Sequence, residues 1–232
     1  YGAIPRENKW SITKVGCEFD ENFFYVNFSN FDEKQIFFLA KDDEIDYYLN
    51  KNLNNLISFN NFTNTSPIEF RSNLCVYIKN KGFSSYQSEY PFNMSKKKGS
   101  IFSPLGTLLD SSAEKNILFF KNIFFEPIIE KSNLYIVDIK KKKIIEKLDI
   151  FTNTTNEINI KKEYIRNNFY IFTDKILGIP LFLSIKNNHI SFEHTHPPHL
   201  YLINQNRFGK VAELKQEIRS FIDYESKINV FK

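Results

Sequence analysis

Hydrophobic positions along the chain fall into short strand-like runs separated by polar turns, with two stretches of a different period. Over residues 9–40, Trp10 and Ile12 alternate with polar neighbours. Residues 23–28 are mostly aromatic, and 35–40 form a short apolar run. Bulky and branched side chains pack well on a pleated surface, so these segments predict strands. Residues 43–58 change period. Ile45, Leu49, Leu53, Leu56 and Ile57 fall at i, i+4, i+8, i+11 and i+12, which predicts an N-terminal helix with one apolar stripe. Asp42 or Asp43 supplies an N-cap carboxylate, a simpler role for this pair than an acid/base dyad. Residues 60–67 read as a polar loop.

Further on, apolar runs at 74–78, 101–109, 117–125, 134–139, 144–150, 169–172 and 179–185 predict a series of short strands. Residues 80–100, rich in Ser, Tyr and Lys, read as a long loop. Lys140, Lys141, Lys142 and Lys143 read as a charged hairpin turn. Near the C-terminus Val211, Leu214, Ile218, Phe221 and Ile222 recur at helical spacing, with charged residues on the other faces. The pattern predicts a mainly β fold: an antiparallel β-sandwich, Ig-like or jelly-roll-like, carrying an N-terminal helix and a C-terminal amphipathic helix. A βαβ rhythm is absent, and so is any Gly-rich phosphate loop. The expected organisation is a single β-rich domain over 1–232. The alternative division is an α+β part at 1–66 and a sandwich with the C-terminal helix at 67–232.

Composition changes this picture little. Of 232 residues, 42% are hydrophobic, enough for a core. Phe, Asn, Lys and Ile are abundant while Gly is scarce, which reads as the codon bias of an AT-rich genome. Lysine runs and Asn-x-Ser/Thr sequons (Asn27, Asn61, Asn64, Asn93, Asn153) lose weight accordingly. The formal charge, 31 − 27 = +4, comes from acidic and basic residues interleaved along the whole chain, so no nucleic-acid partner is expected. No apolar run reaches the roughly 18–20 residues that a transmembrane helix needs, and no signal peptide is visible. A soluble protein is the expectation. Cys17 and Cys75 lack Cys-x-x-Cys spacing and read as small buried side chains or as a single bridge.

Candidate chemistry concentrates in one place. All four histidines lie between positions 189 and 199. Residues 180–185 and 189–196 read as two arms of a hairpin closed at Asn187-Asn188, since Asn tolerates positive φ. Strand alternation then puts Ile190, Phe192, His194 and His196 on one face, and His189, Ser191, Glu193 and Thr195 on the other. Pro197-Pro198 ends the strand and turns the chain, so His199 can return towards the pair. His194, His196 and His199 are therefore candidate ligands for zinc or another transition metal, with His189 as a fourth or supporting group. Glu193 sits on the wrong strand face, and Glu126, Asp138 and Asp174 are carboxylates that could complete such a set. The competing readings are a structural corner of hydrogen-bonded imidazoles and a metal-free ligand site.

Other candidates are weaker. Tyr86, Ser88 and Tyr90 offer rings and hydroxyls to a glycan or protein partner. Ser100 and Ser103 lie near a strand but in no nucleophile elbow. Trp10, the sole tryptophan, reads as core. Two functions follow. One is a metal-binding, hydrolase-like protein. The other is a non-catalytic glycan- or protein-binding sandwich module in which the histidines are structural.

Overall fold

The computed structural model describes residues 1–7, 9–16, 18–20, 23–25, 36–37, 72–78, 82–88, 101–121, 127–173, 180–194 and 205–228. Strands dominate and pair antiparallel throughout. At the N-terminal end β1 (Gly2–Arg6) pairs with β2 (Lys9–Thr13), placing Pro5 opposite Trp10. Trp10 is buried, as a core residue should be. Next come β3 (Glu18–Asp20) and β4 (Phe23–Tyr25), which pair with each other, and β5 (Ile36–Phe37), which adds to β1. The helix expected over 43–58, with Asp42 and Asp43, lies outside the described residues.

Two expectations are corrected here. Residues 80–100 do not read through as loop: β7 (Gly82–Ser88) pairs along its whole length with β6 (Ser72–Ile78). The ladder is made by backbone groups, so a Ser-rich sequence can occupy it without an apolar signal. Residues 101–109 are not one strand either. Only β8 (Phe102–Pro104) is extended, and the chain then turns. Leu105, Leu108 and Leu109 recur at i, i+3 and i+4, a helical spacing. The Leu105 carbonyl accepts from Leu108 N at 3.3 Å and Leu109 N at 3.1 Å.

The remaining strands are β9 (Lys115–Lys121), β10 (Lys131–Asp138), β11 (Lys143–Phe151), β12 (Thr155–Asn159), β13 (Tyr170–Thr173), β14 (Leu181–Lys186) and β15 (His189–His194). A five-residue helix, α1 (Lys162–Arg166), precedes β13, and α2 (Gln205–Ile228) ends the described chain. One sheet runs β11-β10-β13-β8 and the other β12-β9-β14-β15. The lysine turn closes β10 onto β11 as expected. Asp138 Oδ1 accepts from Lys141 N at 3.1 Å, and Lys142 takes φ +51°. Opposite Ile136 and Val137 the β11 register slips, leaving Ile145 as the extra residue of a bulge.

Alternation places the core. Leu134 and Ile136 of β10, Ile150 of β11 and Ile171 of β13 meet Leu118 of β9 and Phe182 of β14 in one apolar cluster. Tyr164 and Ile165 of α1 join it. The opposite face of the first sheet carries Tyr135, Val137 and Phe172, which pack against Ile218 and Ile222 of α2. Strand β10 is thus buried on both faces, which is why its sequence reads as an unbroken apolar run. Helix α2 follows the predicted stripe and is extended by a Lys142–Glu217 ion pair of 2.6 Å to the β10–β11 turn. Among the described residues no helix is long and apolar enough to cross a membrane.

Candidate functional site

The hairpin closed at Asn187-Asn188 forms as its sequence predicts, and β15 is described as far as His194. Leu181 pairs with His194, Leu183 with Phe192 and Lys186 with His189, and Asn187 adopts φ +51° in the two-residue turn. Asn187 N also donates to Glu114 Oε1 at 3.2 Å. Directly opposed residues share a face, so Ile190, Phe192 and His194 stand beside Ile185, Leu183 and Leu181. With Ile117 and Phe119 of β9, the aliphatic and aromatic members form an apolar cluster on this side of the sheet. His194 ends the row Phe119–Leu181–His194 and is half-buried. The chain at β6 and β7 lies against β15.

Among the described residues, His189, Glu193, Asp138 and Ser103 stand apart from His194. His189 opens β15, is exposed, and belongs to the opposite strand face. At about 3.3 Å per residue its Cα lies roughly 16 Å from that of His194. Glu193 is exposed on that same opposite face. Asp138 caps the lysine turn in the other sheet. Tyr86 and Ser88 fall within β7, and Ser103 is buried in β8. His196, Pro197, Pro198, His199, Tyr90, Ser100, Glu126 and Asp174 lie outside the described residues, as does Cys17, while Cys75 falls within β6. Among the described residues no group of three or more His, Cys, Asp or Glu side chains is placed to hold a metal ion.

A polar network below the hairpin has no counterpart in the sequence reading. Ser184 Oγ, buried in β14, donates to Asn116 Oδ1 at 2.6 Å and accepts from Asp110 N at 3.0 Å. Asn116 Nδ2 donates to the Asp110 carbonyl at 3.0 Å. At the exposed end, Ser112 Oγ lies 2.8 Å from both Asp110 carboxylate oxygens and accepts from Lys186 Nζ at 2.7 Å. Hydrogen bonds from the Ser112 amide and hydroxyl, with Lys186 nearby, hold the Asp110 carboxyl below its ordinary range. Ser112 gives its proton to a carboxylate and receives one from an amine. That arrangement locks a turn. The Asp-x-Ser spacing is the local signal that announces such a turn.

A second network ties α1 to the first sheet. Tyr164 Oη donates to Glu146 Oε2 at 2.7 Å, and Lys161 Nζ donates to Glu146 Oε1 at 2.9 Å and to Tyr164 Oη at 2.7 Å. The Tyr164 hydrogen bond, and then Lys161, hold Glu146 below its ordinary value of 4.5. Burial pushes the Tyr164 phenol above its ordinary value. Comparison with protein-family models, curated proteins and solved structures finds no match to this chain.

Proposed function

We propose that the chain is a β-sandwich protein that holds a transition-metal ion through His194, His196 and His199. The single observation carrying this reading is the position of His194, half-buried at the C-terminal end of β15 and on the strand's apolar face. Continued alternation would carry His196 to the same side, and a turn at Pro197-Pro198 would let His199 return, residues 196–199 lying outside the described residues. A neutral imidazole on a semi-apolar surface is a good nitrogen ligand for zinc or copper. Three such ligands leave a coordination position for water. Metal-activated water attacking an ester, amide or glycan substituent is the most economical chemistry for that centre. His189 stands outside the ligand set, because it is too distant from His194.

The fold belongs to the same reading. The two four-stranded sheets act as sandwich layers, with their shared apolar cluster between them and α2 on an outer face. β9 pairs with β12 and β10 with β13, and the chain steps between layers in the manner of an Ig-like Greek key.

The test is metal analysis of untagged protein after exposure to zinc or copper and removal of excess ion. Wild type should retain about one ion per chain, and the His194→Ala/His196→Ala variant close to none. Equal metal content in the two proteins overturns the reading. In that case the alternative gains ground, a glycan- or protein-binding surface on β7. What favours it is that Ser84, Tyr86 and Ser88 share one parity along a strand lying against β15.

A further inference from the structure

No further inference is drawn: the strongest candidate, the exposed run of four lysines at 140–143 on the tip of the β10–β11 hairpin, has two of its ammonium groups already paired with Asp138 and Glu217, and nothing in the structure identifies an anionic partner for the rest.

Discussion

Replacing Ser184 with Ala tests whether one buried hydroxyl joins the 105–114 turn to the second sheet. Ser184 is 4% exposed and Asn116 also 4%. Removing the hydroxyl strands Asn116 Oδ1, which is buried, and Asp110 N, which is only partly so. Each orphaned group costs about 1–2 kcal/mol, with water recovering part of the second, so the expected loss is about 2–3 kcal/mol. Asn116→Ala removes the same bond from the other side, and also the bond to the Asp110 carbonyl. The two variants share one interaction. The double variant should therefore fall short of the sum of the single losses by about 1–2 kcal/mol. Urea unfolding followed by circular dichroism reads this as a lowered midpoint at an unchanged slope. Ser112→Ala, at the exposed end of the network, should move stability by less than about 0.5 kcal/mol. A Ser184→Ala loss no larger than that control, or strict additivity of the pair, would refute the bridging role.

Three other outcomes are expected. Tyr164→Phe should destabilise by about 1–2 kcal/mol near neutral pH, because it removes a hydrogen bond to an ionised carboxylate. Glu146 is depressed in the fold, so its contribution is present above 4.5 and fades as pH falls through the lowered value. Tyr164 is raised, so its contribution is present below 10 and fades as pH rises through the raised value. The wild-type advantage over Tyr164→Phe, measured by unfolding across pH, should narrow at both ends, and a constant difference would contradict the network. Asn153 is fully buried, takes φ +53° and donates Nδ2 to the Ile128 carbonyl at 2.9 Å. Asn153→Ala should cost about 2–3 kcal/mol from lost bonding and left-handed strain, and Asn153→Gly less, as calorimetry would show. Folded protein exposed to a glycosylating system should carry no glycan at Asn153 by mass spectrometry, despite its sequon.

Sequence patterning reached far wherever local geometry decides structure. The Asn187-Asn188 turn between two alternating arms, the lysine turn and the apolar stripe of α2 all carry their signals within a few residues. Strand β7 did not, because a ladder of backbone bonds needs no hydrophobic side chains. Strand β12, read as Thr-Asn-Glu-Ile-Asn, failed for the same reason. The 105–109 segment misled through richness in Leu, although the spacing of those leucines is helical. At the candidate site, alternation correctly put His194 with Ile190 and Phe192, and His189 with Glu193. The Ser184–Asn116–Asp110 contacts were not legible. They join positions 68 and 74 residues apart, and only the assembled sheet brings them together.

The strand order also has a kinetic side. Each of the two four-stranded sheets closes on partners remote in sequence: Phe102 lies opposite Phe172, and Leu118 opposite Phe182. The β10–β11 and β14–β15 hairpins, by contrast, can zip from their turns within microseconds. Contacts between distant segments must overcome chain-closure entropy before they are rewarded, so the sheets assemble late, on a scale of milliseconds to seconds. Until β8 and β9 dock, the apolar edges of β13 and β14 stay open. The central strands that make the finished core are thus the segments most exposed to mispairing while the chain is still folding.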